Sequence, residues 1–374
     1  MIIGIDIRVL GSQPKAGVVE YTEQIISRLV KIAPEHQFKF FFSSLKRSPP
    51  EFDWLSAPNA KLYHYRIPNN LLFVLARFFN RPRIDLLIGG ADVFFSPHFL
   101  PVALSGNCQR VTTFHDLSFV RFPEFFNFGK RLWHWFVDPF KAARFSNQLI
   151  AVSESTKSDL VGKYHIDPSK IRVVYSGSSI TRPTMEKLEQ FQRTHNLPKR
   201  FIFSLSTLEP RKNILGIVRS FELLKHNQDF QDLKLVIAGS KGWLYDQILE
   251  EIKNSKFSED IIYLDRVEDR ECYYSLASVF LYPSFFEGFG LPVVEAMACQ
   301  TPVVTSNNSS LVEVAGPAAM LVNPYNISEI SLACQLILES PQARASLVGK
   351  GLDQIKQFNW DISAQKTLDL LVHR

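Results

Sequence analysis

Cysteine is scarce in this sequence, with four residues among 374. They lie far apart, at Cys108, Cys272, Cys299 and Cys334, and their intervals do not match the spacing of a metal site. Scattered thiols of this kind are typical of proteins from a reducing compartment. We therefore expect ordinary buried thiols in a cytosolic protein.

Long hydrophobic runs are also missing. No run reaches the length that a membrane-spanning helix needs. The first eight residues, Met1 to Arg8, alternate like a first β-strand and carry no signal-peptide cleavage site. These features predict a cytoplasmic protein. Contact with the inner face of the plasma membrane is compatible with that prediction.

Two short motifs of nucleotide and metal chemistry do not occur. The sequence has no Gly-x-Gly-x-x-Gly loop, which argues against a dinucleotide oxidoreductase. It has no Asp-x-Asp pair to carry a metal, and no lysine is identifiable as a Schiff-base partner for pyridoxal phosphate. No motif of the sequence therefore predicts a bound metal or cofactor.

The chain does contain a regular alternation of strand and helix patterns. Its length and its 46% hydrophobic content suit two ordinary domains. Short β-branched or aromatic runs alternate with helical patterns, which predicts an α/β fold with parallel sheets. We predict two Rossmann-like, doubly wound domains, residues 1–178 and 179–357, with a polar linker from Ser178 to Arg200 and a ligand cleft at the carboxyl ends of the strands.

Thirteen strands are predicted in two sets. The first set is Ile2–Arg8, Phe38–Ser43, Lys61–Ile67, Val93–Ser96, Arg110–Phe114, Leu149–Ser153 and Ile171–Tyr175. The second set is Phe201–Ser206, Lys234–Ala238, Ile261–Leu264, Val279–Tyr282, Pro302–Thr305 and Ala319–Val322.

The segment EGFGLPVVE holds two carboxylates around a helix start. Pro292 suits the first turn of a helix, because its missing N–H would be unpaired there anyway. Gly290 and Leu291 then lie at a helix N-terminus, where amides and the helix dipole attract phosphate. Glu287 and Glu295 could hold hydroxyl groups on either side, the layout of a nucleotide sugar. The alternative is a surface loop before a half-buried helix.

Two cations, Arg211 and Lys212, follow a predicted strand and precede a helix that starts near Ile214. Ligands of α/β domains bind at such strand ends. A guanidinium fork beside a compact ammonium group could neutralise a diphosphate. By itself, an Arg-Lys pair is more often simply solvated.

His115 and Asp116 close a predicted strand of the first domain. A histidine after a strand can be a satisfied structural residue or a group that works at near-neutral pH. The residue pattern alone leaves both interpretations open.

Taken together, EGFGLPVVE, EPRKN at 209–213 and HDLSF at 115–119 resemble the motifs of family 4 of the retaining glycosyltransferases, which have the GT-B fold. Within that family they are most similar to bacterial O-antigen and capsule mannosyltransferases. The resemblance implies that residues 358–374 form a helix that crosses back to the first domain. A plain terminal helix of the second domain is the alternative.

The resemblance also implies roles for individual residues. His115 would lie beside the transferred sugar and the reacting bond, and Asp116 would either orient the His115 ring or bind the acceptor. Lys212 would grip the donor diphosphate, Glu287 would hold the sugar, and Glu295 would hold the ribose. The implied catalytic set is His115, Asp116 and Glu287, and the implied donor-binding set is Gly17, Arg211, Lys212, Gly239, Val267, Glu287, Gly288, Phe289, Gly290, Leu291 and Glu295.

This chain departs from the family pattern in two places. Ser206-Thr207 stands where many relatives have an arginine, which leaves open whether Arg211 takes the second cationic role. Ala16-Gly17 stands where relatives often have Gly-Gly, in a loop whose amides could reach a donor phosphate or the acceptor.

A basic and aromatic segment runs from Lys61 to Leu149, with eleven Lys or Arg against five Asp or Glu. It contains about half of the 31 phenylalanines. This composition favours contact with an anionic membrane over nucleic acid, because no nucleic-acid motif accompanies it. The segment contains two candidate helices, Leu71 to Phe79 and Gly129 to Arg144. The alternative is that both helices simply pack on the core of the first domain.

The expected function is transfer of a hexose, best guessed as mannose from GDP-mannose, to a saccharide or lipid-linked saccharide in bacterial surface polysaccharide synthesis. A UDP-sugar donor remains open. A sugar-nucleotide epimerase or a phosphorylase of the same fold, and a nucleic-acid-binding protein, are the competing hypotheses.

Overall fold

The structure is a computed structural model that describes residues 1–11, 17–45, 47–49 and 51–373. Its contacts divide the chain into two compact units. Unit 1 comprises Met1–Arg121, Phe128–Ser176 and the segment from Asn359 onward. Unit 2 comprises Phe122–Asn127 and Gly177–Phe358.

Unit 1 is built on a seven-stranded parallel sheet of order β3-β2-β1-β4-β5-β6-β7. Its inner strands are mainly buried apolar runs, as expected where helices cover both faces of a parallel sheet, whereas the two edge strands are partly exposed. The strands are β1 (Ile2–Asp6), β2 (Gln37–Ser43), β3 (Ala60–Tyr65), β4 (Val93–Ser96), β5 (Gln109–Phe114), β6 (Gln148–Ala151) and β7 (Ile171–Val173). The order reverses between β1 and β4, which is where open α/β sheets bind ligands at their carboxyl edge.

The helices of unit 1 cover this sheet. They are α1 (Gly17–Ile32), α2 (Asn69–Val74), α3 (Ile84–Leu87), α4 (Ser118–Arg121), α5 (Phe128–Val137), α6 (Pro139–Arg144), α7 (Glu154–Tyr164) and, far along the chain, α16 (Trp360–Val372). A single π-helical turn, Leu75–Phe79, continues α2.

The return of α16 to unit 1 confirms the predicted crossing-back helix. The Trp360 side chain is 1% exposed and its ring centroid lies 6.0 Å from that of Tyr21 on α1. Arg28 on α1 donates to Asp361 over 2.6 Å. The alternative, a terminal helix of the second domain, is wrong because the apolar face of α16 is buried against α1.

Unit 2 is built on a six-stranded parallel sheet of order β10-β9-β8-β11-β12-β13. Its strands are β8 (Phe201–Leu205), β9 (Lys234–Ala238), β10 (Ile261–Leu264), β11 (Val279–Tyr282), β12 (Val303–Ser306) and β13 (Ala319–Val322). All thirteen predicted strands are therefore present, with ends that differ from the predicted ones by at most two residues.

The helices of unit 2 are α8 (Met185–Thr194), α9 (Ile214–Lys225), α10 (Asp246–Asn254), α11 (Arg270–Leu276), α12 (Leu291–Ala298), α13 (Leu311–Ala315), α14 (Ile327–Glu339) and α15 (Pro341–Gln354). Helix α8 corrects the predicted linker from Ser178 to Arg200. It is capped by the Thr184 hydroxyl and anchored by buried Leu188 and Phe191.

One segment lies outside the domain to which the sequence assigned it. Phe122–Asn127 falls within the predicted first domain, 1–178, but it packs in unit 2. Aromatic stacking explains the difference. The rings of Phe122 and Phe286 have centroids 5.6 Å apart, and those of Phe126 and Trp243 are 5.4 Å apart.

The four cysteines are free and buried, which confirms the prediction of buried thiols. Within the described residues, no helix combines the length and apolar character required to cross a bilayer.

Candidate functional site

The loop after β8 carries the two predicted cations and is fixed by Asn213. The side chain of Asn213 accepts from Gly216 N at 3.2 Å, which caps α9. Its amide nitrogen donates to the carbonyl oxygens of Pro283 and Pro324, at 3.0 and 2.7 Å. Asn213 adopts a left-handed conformation with φ 55°, which asparagine tolerates better than most residues. The turn Pro210–Lys212 is thereby tied to the ends of two other strands.

Glu287 lies between both cations. Lys212 Nζ is 2.6 Å from Glu287 Oε1, and Arg211 donates to Oε2 at 3.0 Å. The Tyr282 hydroxyl donates to the same Oε1 at 2.8 Å. A second carboxylate, Glu209, lies 2.8 Å from the guanidinium of Arg211. The fork of Arg211 is therefore shared by two carboxylates, whereas Lys212 pairs with one.

The charges of this cluster determine its protonation. Burial alone would raise the pKa of Glu287, but the neighbouring Lys212 and Arg211 outweigh it and bring that pKa to about 2. Burial and the adjacent Glu287 carboxylate hold the pKa of Tyr282 well above its usual range. Glu287 is therefore a fixed anion at neutral pH, and Tyr282 remains a hydrogen-bond donor.

The predicted helix start after Glu287 is present. Gly290 precedes α12 with φ 107°, a conformation that strongly favours glycine. The turn Gly288–Leu291 is braced by the buried Ser310 hydroxyl, which lies 2.9 Å from the Glu287 carbonyl oxygen and 2.8 Å from that of Phe289. Pro292 has no N–H and Val293 N already donates to the Gly290 carbonyl oxygen at 2.9 Å, so the positive end of the α12 dipole is what attracts an anion here.

Glu295 lies deeper than a solvated carboxylate. It is 2% exposed, and it accepts from the Tyr274 hydroxyl at 2.8 Å and from Arg270 Nη2 at 3.0 Å. Arg270 and Tyr274 are partners that the sequence did not reveal, because their pairing requires α11 to pack beside α12. The predicted contact of Glu295 with a ribose stays a prediction.

Gly239 and Val267 follow β9 and β10 at the same carboxyl edge. Gly239 has φ +143°, and a Cβ atom there would lie 1.8 Å from the Ser206 carbonyl oxygen, so only glycine fits. The hydroxyl of Ser206 is buried and has no hydrogen-bond partner within the described part of the chain. Val267 is half-buried in the loop after β10.

In unit 1, His115 and Asp116 directly follow β5. The Nε2 atom of His115 is 2.9 Å from the Pro97 carbonyl oxygen, and its ring packs edge-on against Tyr21. A carbonyl only accepts, so Nε2 carries the proton and Nδ1 retains its lone pair. Burial lowers the pKa of His115. Asp116 accepts from the amide and hydroxyl of Ser118, at 2.9 and 2.6 Å, so its hydrogen bonds hold the start of α4.

A buried cluster at the same edge of unit 1 was missed in the sequence. Arg8 donates to Asp6 through two nitrogens, at 2.9 and 2.6 Å, and His98 Nε2 lies 3.7 Å from Asp6 Oδ2. His98 Nδ1 accepts from Leu100 N, so Nε2 carries the proton, and it has no hydrogen-bond partner within the described residues. Burial brings the pKa of His98 to about 4. The sequence signal was weak, because Asp6 and His98 come from different strands.

Gly17 is the first residue of α1. The predicted loop before it, residues 12–16, lies outside the described residues. The proposed contact of this loop with phosphate or acceptor stays a prediction.

Comparison with known families accounts for both halves of the chain. Residues 16–182 match the model of glycosyltransferase family 4, and residues 185–353 match that of glycosyl transferases group 1. The chain belongs to glycosyltransferase family 4. It is 27% identical over 379 residues to the O-antigen chain mannosyltransferase B of Escherichia coli, covering 95% of this chain and 96% of that protein.

Solved structures share the fold of this glycosyltransferase. Sucrose-phosphate synthase from Thermosynechococcus elongatus superimposes with a TM-score of 0.78 at 20% identity, over 99% of this chain and 98% of that one. Anabaena Alr3699/HepE in complex with UDP-glucose gives a TM-score of 0.74 at 15% identity, over 99% of each chain. The predicted GT-B fold of two Rossmann-like domains is confirmed.

Proposed function

We propose that this glycosyltransferase transfers a hexose, best assigned as mannose from GDP-mannose, to a saccharide or lipid-linked saccharide acceptor in bacterial surface polysaccharide synthesis. The similarity to an O-antigen chain mannosyltransferase over nearly the whole of both chains supports mannose. A structural neighbour holding UDP-glucose supports a UDP-sugar donor as the second candidate. The observation that carries the proposal is the Lys212–Glu287 pair beside the N-terminus of α12.

The departing diphosphate requires positive charge. When the bond from the anomeric carbon to the phosphate oxygen breaks, negative charge develops on the nucleoside diphosphate. Lys212 and the positive end of the α12 dipole would stabilise that charge, and preorganised charges and dipoles of this kind usually supply the largest catalytic term. Arg211 is committed to Glu209 and Glu287, so we assign it to positioning Glu287. With Lys212 and the end of α12 as fixed positive charge, the proposed reaction requires no metal and no cofactor.

The carboxylates would hold hydroxyl groups of the donor. Glu287 is an anion and can only accept, so it suits sugar hydroxyls that donate. Glu295 is proposed for the ribose, together with Gly239 and Val267 around the nucleotide. Retention would follow from attack on the face from which the diphosphate departs. The leaving phosphate oxygen then takes the proton of the acceptor hydroxyl, so the acceptor oxygen gains the anomeric carbon and loses its proton.

His115 and Asp116 are the proposed catalytic residues of unit 1. The lone pair on His115 Nδ1 suits a hydroxyl that donates a hydrogen bond, and the lowered pKa keeps the ring neutral at pH 7. For Asp116, the bonds to Ser118 favour a role in shaping the turn that carries His115.

A donor screen followed by a transfer assay tests the proposal. Thermal unfolding is measured with GDP-mannose, UDP-glucose, GDP and UDP, since a ligand that binds the folded state raises the melting temperature. Transfer from the donor that binds is then followed in EDTA, with the anomeric configuration of the product read by NMR. Glu287→Gln should lower the transfer rate at least about a hundredfold, whereas exposed Glu268→Gln should not.

Other outcomes would replace the proposal. Isomerised sugar nucleotide formed without any acceptor would indicate an epimerase. Wild-type transfer by Glu287→Gln would mean that the site lies elsewhere.

A further inference from the structure

A cavity of about 510 Å³ lies in unit 1, at the opposite edge of the sheet from His115. Arg110, near the amino end of β5, and Asn147, just before β6, line it. His115 follows the other end of β5, so the strand separates it from Arg110 by roughly 16 Å, at about 3.3 Å per residue. Cavities of about 300 to 1,000 Å³ hold small molecules in many proteins. This cavity, which we call the amino-edge cavity, is large enough for a ligand of its own.

Two cations of the amino-edge cavity, Arg110 and Lys141, are held by backbone carbonyls of its wall. Arg110 Nη2 donates to the Val102 carbonyl oxygen at 2.9 Å, and Lys141 Nζ donates to that of Arg77 at 3.0 Å. Within the described residues, neither side chain forms an ion pair with a carboxylate. A guanidinium carries five N–H donors and an ammonium group three, so most of these donors are left for a ligand.

The lining of the amino-edge cavity is positively charged. Three cations and one carboxylate line it, a net charge of +2: Arg77, Arg110, Lys141 and Asp138. Asp138 is itself engaged, because it lies 2.8 Å from Arg77 and accepts from the Lys141 amide at 3.1 Å as the cap of α6. Burial lowers the pKa of Arg110, and nearby acidic groups offset this only in part. A half-buried cation of this kind costs free energy unless an anion comes close to it.

The two cations suit a phosphate group. A phosphate monoester carries up to two negative charges at neutral pH, which matches the net charge of the lining. The fork of an arginine binds two phosphate oxygens at once, and a lysine adds a compact point charge. A carboxylate would supply only half of that charge, so the lining of the cavity favours phosphate.

Phe145 gives the amino-edge cavity an aromatic side. It lines the cavity and its side chain is 64% exposed, so the ring is accessible to a ligand. Ala76, Val137 and Ala142 add apolar wall. Aromatic rings stack on planar groups such as nucleobases, whatever hydrogen bonds those groups can form. A ligand with a phosphate at one end and a planar ring at the other would use both parts of the lining.

We propose that the amino-edge cavity binds a phosphate monoester that carries a planar ring, with Arg110 and Lys141 on the phosphate and Phe145 against the ring. Binding would connect α6, which carries Lys141, to the start of β5, which carries Arg110, so it should stabilise unit 1. The donor residues Lys212 and Glu287 belong to unit 2, and this second site does not depend on the transfer reaction.

Isothermal titration of the full chain with phenyl phosphate tests the site. We expect saturable binding to wild type, with weaker binding of inorganic phosphate and none of phenol. Lys141→Met should raise the Kd for phenyl phosphate at least about tenfold, because a charge-assisted hydrogen bond is lost. Lys163→Met, at an exposed position of α7 in the same unit, is the matched control and should bind like wild type. No saturable binding, or equal losses in both variants, would overturn the proposal.

The ring of the ligand is tested through Phe145. Phe145→Leu should raise the Kd for phenyl phosphate about fivefold, the effect of one aromatic contact, and leave the Kd for inorganic phosphate unchanged. The matched control is Phe78→Leu, because Phe78 is also 64% exposed and does not line the cavity. Both variants keep an apolar side chain at an exposed position, and circular dichroism checks their fold. Wild-type affinity of Phe145→Leu for phenyl phosphate would contradict the proposed contact with a planar ring.

Lys212→Met distinguishes the amino-edge cavity from the donor site of unit 2. This variant should bind phenyl phosphate with the wild-type Kd. Loss of phenyl phosphate binding in Lys212→Met but not in Lys141→Met would place the anion at the donor site and refute the proposal. The binding of GDP and UDP to Lys212→Met is measured in the same way, and an unchanged Kd for both would contradict the donor assignment without affecting the cavity.

Discussion

Lys212 Nζ lies 2.6 Å from Glu287 Oε1, and this contact joins the loop after β8 to the loop after β11. The contact lies at the carboxyl ends of β8 and β11, next to the first turn of α12. The pair fixes the position of a cation and the charge of an anion at once. Each partner therefore depends on the other for its function.

Removal of Lys212 is expected to affect donor use more than folding. Lys212→Met should lower kcat/KM for the nucleotide sugar about 10²- to 10³-fold, because the positive charge that stabilises the leaving diphosphate is lost. The pKa of Glu287 should also rise, since its closest cation is gone. Steady-state kinetics measures the first effect, with Lys253→Met on the exposed side of α10 as the control. Unchanged kcat/KM would remove Lys212 from the donor site.

Gly239→Ala should disrupt the carboxyl edge of unit 2. The added Cβ would lie 1.8 Å from the Ser206 carbonyl oxygen, so the backbone must move. We expect a loss of about 3 kcal/mol in the free energy of unfolding, together with weaker donor binding. Chemical denaturation measures the free energy of unfolding of both variants. Gly162→Ala on α7, where a Cβ meets no atom within 4 Å, should be neutral or stabilising. A similar loss in both variants would contradict the steric explanation.

His98 should make the protein less stable in mild acid. Its folded pKa is about 4, below the ordinary value of 6.5. Between these values the unfolded chain binds the proton more readily, so stability falls as pH drops from 6.5 toward 4. The shift corresponds to about 3 kcal/mol. Melting temperatures at neutral pH and about pH 5 should differ less in His98→Gln than in wild type. Exposed His226→Gln should keep the wild-type difference; the same flattening there would refute the assignment.

Trp360 should carry much of the attachment of α16. Its side chain is 1% exposed, so Trp360→Ala is expected to cost about 3–5 kcal/mol in the unfolding of unit 1. Ile362 on the same helix is 45% exposed, and Ile362→Ala should cost less than about 1 kcal/mol. Calorimetry can compare the two. Equal effects would show that α16 contributes through helix formation rather than through its buried face.

The fold followed from local patterns that parallel α/β proteins repeat. Buried strands read as short apolar runs, so their positions were predictable to within two residues. Pro292 likewise marked the start of α12. Local signals failed where tertiary packing decides. Nothing near Phe122–Asn127 indicates that its rings stack in unit 2, and the polar stretch around Met185–Thr194 concealed a helix.

The candidate site was predictable residue by residue but not pair by pair. The motifs contain Glu287, Arg211 and Lys212, yet the sequence does not reveal that Arg211 is shared with Glu209. The same holds for Arg270 beside Glu295, and for His98 beside Asp6. Glu209 and Arg211 lie in one loop, and their contact depends on how that loop folds. The Arg270–Glu295 pair requires α11 to pack beside α12, and the His98–Asp6 pair requires the ends of β1 and β4 to lie side by side in the sheet.

The packing of α16 on α1 also bears on how the protein is made. Unit 2 occupies one nearly continuous stretch, Gly177–Phe358, so a ribosome finishes it before α16 emerges. Until then, the face of α1 around Tyr21 lacks its cover. Domains generally fold as units during synthesis, and exposed apolar faces favour aggregation. Unit 1 begins first and is completed last, which makes its unfinished face a natural target for a chaperone during translation.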